Sequence, residues 1–266
     1  MSELNRPKVE TPPVPYKNLA FLERREGRPI RILAEFLHPH AEFQRERVHD
    51  TIVFFGSARI TENGPFSRYY QEARQLARML AEWSDSLVNA TRRFVICTGG
   101  GPGIMEAANR GAAEAGSKTI GLNIGLPLEQ APNPYVTPEL CFNFRYFFMR
   151  KFWFAYLAKA LVVFPGGFGT MDELFELLTL VQTHKIEKKM VLLLYGSAFW
   201  KEIINFDALV RYGMISPEDT QLFEWADDPE TAFVILKDGL RRYYLEEKGA
   251  PGAPEEETPA IARSRV

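Results

Sequence analysis

Residues 160–173 read ALVVFPGGFGTMDE, a sequence that indicates the fold class. Five apolar residues, 160–164, predict a strand that is buried on both faces of a sheet. A glycine-rich turn, residues 165–170, follows at once, and apolar residues then recur at helical spacing over 174–181. A strand, a tight turn and a helix in immediate succession are the unit from which parallel α/β sheets are built.

The same unit recurs along the chain. Four other apolar runs without alternation lie at residues 51–55, 94–97, 119–124 and 190–195. Helical spacing of apolar residues marks the segments 69–83, 104–115 and 232–240. Strands and helices therefore alternate, which predicts an α/β fold: a doubly wound, Rossmann-like parallel sheet with helices on both faces. In that architecture ligands bind beyond the carboxyl ends of the strands.

Composition narrows the class of protein. The 266 residues are 46% hydrophobic and 25% charged, with a net charge of −2, which is ordinary for a soluble globular protein. No basic surplus is present, so we expect no nucleic-acid partner. Cys97 and Cys141 are too few for a disulfide framework or a four-ligand zinc site, and the four histidines show no metal-ligand spacing. We therefore expect no metal.

The ends differ in character from the middle. Residues 1–48 mix proline with dense charge and predict an N-terminal arm that is partly helical. Residues 49–248 predict one Rossmann-like domain, and the Pro-rich, acidic residues 249–266 predict a disordered tail. The first ten residues lack the apolar core of a signal peptide, and the longest apolar stretch is too short to span a bilayer. These features predict a cytoplasmic protein without a membrane partner.

Glycine-rich loops follow three of the predicted strands. They are Gly56-Ser57 after the first, residues 98–103 after the second and residues 165–170 after the fourth. Glycine leaves backbone N–H groups unshielded, and a helix N-terminus adds unpaired donors and a positive dipole end. Two such loops in one sheet favour a phosphate-containing ligand. Neither fits the P-loop or the dinucleotide motif, so a mononucleotide or a sugar phosphate is expected.

The glycine-rich loop after the fourth predicted strand resembles the signature of a known protein family. PGGFGTMDE, residues 165–173, matches the P-G-G-x-G-T-x-x-E signature of the LONELY GUY (LOG) family. The similarity continues in residues 99–109, 121–130 and 149–151, and covers about residues 50–215 in the order of the family. Plant members usually have Tyr at the position of Phe168 and Glu at that of Asp172. With its long arm the chain looks like the longer bacterial branch, so cytokinin specificity is not carried over.

The resemblance implies a function. LOG members are cytokinin-activating phosphoribohydrolases and related nucleotide nucleosidases, long mislabelled as lysine decarboxylases. The implied reaction is hydrolysis of the N-glycosidic bond of a nucleoside 5′-monophosphate, with AMP or N6-modified AMP as first candidates. It needs no cofactor, and the family predicts a homodimer or a higher homo-oligomer. The alternative is a non-catalytic nucleotide-binding sensor or carrier on the same scaffold. Lysine decarboxylation would require pyridoxal phosphate on a lysine, and the glycine-rich loops contain none.

Two residues are the catalytic candidates. The spacing Thr170-x-x-Glu173 leaves two roles for Glu173, a helix-capping box and catalysis, and the resemblance favours catalysis. Arg150 lies in an aromatic-rich stretch, where the residues alone predict an exposed arginine on a helix; the resemblance places it in the active site. A guanidinium suits a phosphate or a base edge better than an ammonium does.

The substrate-binding candidates come from the loops and from the family match. Backbone N–H groups of the two glycine-rich loops are expected to hold the 5′-phosphate. For Ser57, Glu129 and Lys151 a binding role and a purely structural role stay open. The full set is Gly100, Gly101, Gly103, Gly166, Gly167, Gly169, Thr170, Ser57, Glu129 and Lys151.

Overall fold

A computed structural model of the chain describes residues 11–87, 91–125 and 131–246. Seven strands, numbered in chain order, form one sheet: β1 Thr51–Phe55, β2 Val95–Thr98, β3 Thr119–Ile124, β4 Cys141–Phe144, β5 Ala158–Val163, β6 Val191–Tyr195 and β7 Glu224–Ala226. The α-helices in the described part are α1 Leu19–Glu23, α2 Arg28–Arg45, α3 Ser67–Asp85, α4 Ile104–Glu114, α5 Phe147–Leu157, α6 Phe168–Gln182, α7 Ser197–Ile203, α8 Phe206–Arg211 and α9 Pro229–Arg241.

All neighbouring strands of the sheet run parallel, in the order β4-β3-β2-β1-β5-β6-β7. The chain winds outward from β1 to one edge, then crosses back and winds from β5 to the other edge. β1 and β5 lie side by side, with Phe55 opposite Val163. Their adjacent carboxyl ends form the switch point at which doubly wound sheets bind ligands.

Apolar side chains cover both faces of the sheet. Ile52 and Phe54 of β1 point to one side, where they join a core with α3, α4 and α9. Val53 and Phe55 point to the other side, where they join a core with α2, α5 and α6. Because both faces are buried, the central strands show no polar alternation in the sequence. The predicted doubly wound sheet with helices on both faces is confirmed.

The five predicted strands are present, with ends shifted by no more than two residues. The outermost strands, β4 and β7, were not predicted. Both are edge strands of only 4 and 3 residues, and Asn143 and Glu224 on them are exposed. A short, half-exposed strand has no continuous apolar run, so the pattern that revealed the central strands is missing at both edges.

The N-terminal helix α2 packs against α5. The rings of Phe36 and Trp153 stack with their centroids 5.7 Å apart, and Phe43 is buried in the same core. No helix among the described residues combines the length and the apolar character needed to cross a membrane. The predicted tail, residues 249–266, lies outside the described residues.

Candidate active site

A cleft of about 690 Å³ opens at the carboxyl ends of the central strands, over the switch point between β1 and β5. Loops that follow β1, β2 and β5 contribute to its wall, as do the last two residues of β3, Asn123 and Ile124, and the helices α4, α5 and α6. The structure brings seven of the predicted site residues together there: Ser57, Gly101, Arg150, Gly167, Gly169, Thr170 and Glu173.

The first turn of α6 forms one wall of the cleft. Gly167 is the N-cap, and the first intrahelical bond runs from the Met171 N–H to the Gly167 carbonyl at 3.0 Å. The N–H groups of Phe168, Gly169 and Thr170 precede that bond and take no partner within the helix. They stand at the positive end of a helix of 15 residues, which is suited to an anion.

The capping-box alternative for Glu173 is wrong. It requires Thr170 at the N-cap, but α6 begins at Phe168 and its N-cap Gly167 has no side chain to accept a bond. Glu173 therefore lies in the second turn, beyond reach of the N-cap amide. Its carboxylate instead forms an ion pair with Arg150.

Arg150 and Glu173 form a nearly buried ion pair. The distance from Arg150 Nη1 to Glu173 Oε1 is 3.0 Å, and the two side chains are only 11% and 13% exposed. Arg150 also donates from Nε to the Leu122 carbonyl at 2.7 Å, and its guanidinium lies 4.9 Å from the centre of the Phe154 ring. Two directed hydrogen bonds and one ring face thus fix the orientation of the guanidinium.

Gly99 makes the space that Arg150 occupies. A Cβ atom at Gly99 would overlap Arg150 Nη2 and would lie 2.8 Å from Met105 Sδ. The guanidinium therefore has no room to move toward the loop after β2. Gly99 lines the cleft but was not among the predicted site residues, which included its neighbours Gly100 and Gly101.

Burial raises the pKa of the Glu173 carboxyl to about 7. The Arg150 guanidinium acts in the opposite direction and keeps this pKa from rising further, while Asp172 on the same helix adds to the increase. Burial also lowers the pKa of Arg150, against the attraction of Glu173. A carboxyl group whose pKa lies near neutral pH, in a cleft and beside one defined charge, is typical of an acid–base or charge-stabilising residue in an active site.

The loop after β2 is held mainly from behind. The Gly100 N–H donates to Thr98 Oγ1 at 2.8 Å, so this amide faces the sheet. Gly100 and Gly103 both have φ of +71°, which favours glycine. A Cβ atom at Gly103 would also collide with the backbone of Ser57 and Ala58. Gly100 and Gly103 thus shape the loop, and Gly101 is the one of the three that lines the cleft.

A buried amide network supports this loop, and its main member, Asn133, was not among the residues predicted from the sequence. The Asn133 Nδ2 group donates to the carbonyls of Gly100 and Gly101 at 3.1 and 3.0 Å and to Asn109 Oδ1 at 2.9 Å. Asn109 in turn accepts from Thr98 Oγ1 at 2.7 Å. Asn109 belonged to the quoted family match, whereas a lone asparagine between two prolines carries no sequence signal.

The remaining predicted site residues lie elsewhere. A Cβ atom at Gly166 would overlap Thr170 Oγ1, so this glycine makes room for the buried threonine behind the loop. Lys151 points away from the cleft and pairs with Asp172 at 2.7 Å and with Glu176 at 3.2 Å. Glu129 lies outside the described residues.

Aromatic side chains form the mouth of the cleft. Phe168, the first residue of α6, is 92% exposed, and Phe147 at the start of α5 is 53% exposed. Both line the cleft, as does the exposed Arg59. In residues 11–87, 91–125 and 131–246, no group of three or more His, Cys, Asp and Glu side chains could hold a metal ion.

Comparison with known proteins identifies the family. The family model described as "Possible lysine decarboxylase" matches residues 105–236. A curated relative from rice, Oryza sativa subsp. japonica, is the cytokinin riboside 5′-monophosphate phosphoribohydrolase LOG. It is 30% identical over 198 residues, which cover 73% of this chain and 74% of the relative. The chain belongs to the LOG family.

Two further proteins are similar to this LOG-family chain, one in sequence and one in structure. The pyrimidine/purine nucleotide 5′-monophosphate nucleosidase of Escherichia coli K12 is 31% identical over 140 residues, or 48% of this chain and 26% of that protein. The X-ray structure of TM1055 aligns with a TM-score of 0.50 and 22% identity, covering 71% of this chain and 99% of that one, which supports the fold. The LOG-family relatives compared by sequence are thus named as enzymes that act on nucleoside 5′-monophosphates.

Proposed function

We propose that this LOG-family protein hydrolyses the N-glycosidic bond of a nucleoside 5′-monophosphate to a free base and ribose 5-phosphate. One observation carries the proposal: the nearly buried Glu173 carboxylate, paired with Arg150 at 3.0 Å, lies one helical turn from the N-terminal amides of α6, which have no partner within the helix and stand in the same cleft. An anion site and a charged carboxylate at this spacing match the two ends of a ribose 5-phosphate.

The 5′-phosphate is held by the N-terminus of α6. The N–H groups of Phe168, Gly169 and Thr170 point out of the helix end, and the Gly101 backbone faces the same cleft from the loop after β2. Holding the phosphate at this point fixes the position of the ribose before reaction, so that less orientational freedom is lost in the transition state.

Glu173 then acts at C1′. It follows Thr170 by three residues, about 4.5 Å along the helix axis, so a ribose whose 5′-phosphate lies at the helix end can extend toward this carboxylate. As the base departs, C1′ gains oxocarbenium character, and an ionised carboxylate there stabilises the charge and orients the attacking water. Arg150 favours the ionised form of Glu173 against the effect of burial and orients the carboxylate toward C1′.

The aromatic mouth of the cleft accommodates the base. Phe168 and Phe147 are exposed aromatic side chains in the wall of this cleft, and nucleobases stack on aromatic rings. Stacking tolerates many bases, so the preference among AMP, N6-modified AMP and other nucleotides depends on finer contacts at this mouth.

The proposal is tested with a panel of AMP, GMP, CMP, UMP, IMP and isopentenyl-AMP, with release of free base followed by chromatography. Adenosine, which lacks the phosphate, is the matched control. We expect base release from at least one nucleotide and a much lower kcat/KM for adenosine than for AMP. Saturable binding without release from any nucleotide would favour the alternative, a sensor or carrier on the same scaffold.

The pH dependence follows from the position of Glu173. Burial raises its pKa to about 7, so the carboxyl is protonated below that pH and cannot stabilise a cation. Asp172 and Glu176 raise the same pKa, while Arg150 and Lys151 lower it. We therefore expect kcat/KM to rise with pH, with a midpoint near 7, and to be about 100-fold lower at pH 5 than at its plateau.

Because a phosphate monoester titrates with a second pKa of about 6, the rate profile needs a control. A ¹³C-NMR titration of the Glu173 carboxyl in the free protein gives the same midpoint without substrate. A kcat/KM that stays constant between pH 5 and 8 would contradict the assignment of the ionised form.

We also propose a homodimer or a higher homo-oligomer. An apolar groove of about 600 Å³ lies between α2 and α5, with side chains of Ile32, Phe36 and Phe152 among its walls. Leu33 and Phe148 at the same groove are about half exposed. Contiguous exposed apolar surface is typical of protein interfaces. We expect at least twice the mass of one chain by light scattering, and the mass of a monomer at micromolar concentration would contradict the proposal.

A further inference from the structure

The N-terminal helix α2 lies outside the region of the family signature, yet it contacts the helix that carries Arg150. Three hydrogen bonds between the two segments converge on one residue, Glu35. Its Oε1 accepts from the Arg145 N–H at 2.8 Å, its Oε2 from the Tyr146 N–H at 3.3 Å, and its backbone carbonyl from Trp153 Nε1 at 2.9 Å.

Arg145 and Tyr146 are the last two residues before α5. The N-cap of α5, Tyr146, makes no capping bond with its own side chain, so the Glu35 carboxylate supplies acceptors at this helix end from another element. A carboxylate there also lies at the positive end of the α5 dipole. Arg31, one turn earlier on α2, adds a bond from Nε to Tyr146 Oη at 3.2 Å.

The position of α5 determines the position of the Arg150 guanidinium. Arg150 is in the first turn of α5, four residues after Tyr146. Its head group fits between the Leu122 carbonyl, Glu173 and the space left by Gly99, where even one additional carbon atom would overlap it. A small shift or tilt of α5 therefore changes the Arg150–Glu173 contact directly.

We propose that Glu35 is a positioning residue of the active site: by binding the backbone at the start of α5, it holds Arg150 in register with Glu173. The N-terminal helix is then part of the catalytic apparatus rather than a separate appendage. This inference rests on the proposed function insofar as Glu173 and Arg150 perform the reaction, but the geometric claim is testable without turnover.

A merely structural role and a positioning role predict different results. If Glu35 only anchors α2, its loss lowers the thermal midpoint and leaves the properties of Glu173 unchanged. If Glu35 positions Arg150, its loss moves the guanidinium away from Glu173. The guanidinium then opposes less strongly the rise in the Glu173 pKa that burial causes. The pKa of Glu173 then moves upward from its value in the unaltered protein.

The experiment compares Glu35→Ala with Glu42→Ala in the full chain. Glu42 is on the same helix and pairs with the exposed Arg45 at 3.0 Å, so it is a matched control. Circular dichroism and thermal melts establish folding, ¹³C-NMR titration gives the pKa of Glu173, and kcat and KM are measured with AMP. We expect Glu35→Ala to raise the pKa of Glu173 and to lower kcat roughly tenfold, with little change in KM.

Glu35→Gln, which keeps the size and one acceptor oxygen, is the second variant and decides the question if Glu35→Ala does not fold. We expect the same directions with smaller amplitude. A folded Glu35 variant whose Glu173 titrates as in the wild type would overturn the positioning role, whatever its turnover. An upward shift of the Glu173 pKa in the variant, combined with a wild type that releases base from no nucleotide of the panel, would instead uphold the positioning role and overturn the proposed function.

Discussion

Glu173→Gln is expected to fold, to bind the nucleotide and to lose on the order of 10²–10⁴-fold in kcat. Glutamine keeps the shape of the side chain but removes the negative charge. The amide cannot stabilise an oxocarbenium-like C1′, and it orients water less well. Because the phosphate site that we propose at the N-terminus of α6 lies one turn away, KM is expected to change much less than kcat. Steady-state base release and isothermal titration with AMP separate the two quantities.

Glu176→Gln is the matched control for this variant. Glu176 lies three residues further along α6 and pairs with Lys151 at 3.2 Å outside the cleft. Its substitution is expected to leave kcat within about threefold of wild type. A Glu173→Gln variant with activity inside the same range would refute the catalytic assignment of Glu173.

Arg150→Lys is expected to lower kcat/KM on the order of 10²-fold, although it keeps a positive charge. The guanidinium donates at once to the Leu122 carbonyl and to Glu173 Oε1, at 2.7 and 3.0 Å. A single ammonium on a flexible stem cannot reproduce that fixed pair of bonds. Since Arg150 lowers the pKa of Glu173, a weaker contact also moves the acidic limb of the pH–rate profile to higher pH.

The value of kcat/KM and the position of the acidic limb of the pH–rate profile together distinguish two roles for Arg150. Arg78→Lys, at an exposed arginine of α3 that pairs with Glu82 at 2.8 Å, controls for the chemical change itself. A loss of rate without a shift in the acidic limb would mean that Arg150 contacts substrate and does not tune Glu173. An Arg150→Lys enzyme with unaltered kcat/KM and pH profile would contradict both roles.

The sheet could be predicted from sequence because a strand that is buried on both faces appears as a continuous run of apolar residues. β1 and β3 were predicted with the observed ends, and their residues are almost all buried. β4 could not be found in this way, because Phe142 and Phe144 point inward while Asn143 is exposed. A strand of 4 residues with such alternation resembles any loop that crosses a protein surface.

The site was predictable where chemistry depends on residue type and less so where it depends on backbone direction. Glu173 and Arg150 were candidates, and the structure places them in contact. The sequence could not tell which glycine N–H groups face the cleft, because Gly100 and Gly101 are indistinguishable until the side chain of Thr98 accepts one of their amides. The sequence also did not fix where α6 begins. The helix starts at Phe168, two residues before Thr170, the residue that the capping box would have placed at the N-cap.

Contacts between distant segments were beyond prediction. Glu35 and Arg145 are 110 residues apart, and neither belongs to a motif. Asn133 reaches the loop after β2 from a separate segment, between two prolines. Such support residues act through the three-dimensional neighbourhood, and a single sequence contains no pattern that pairs them.

Identifying both products of one reaction distinguishes hydrolysis of the N-glycosidic bond from other reactions of a nucleotide. The purified protein is incubated with the nucleotide that the panel selects, and free base, ribose 5-phosphate, nucleoside and inorganic phosphate are quantified together. We predict equal amounts of free base and ribose 5-phosphate, formed by the wild type and not by Glu173→Gln. Formation of nucleoside with inorganic phosphate, or nucleotide that stays intact while bound, would contradict hydrolysis of the N-glycosidic bond by this protein.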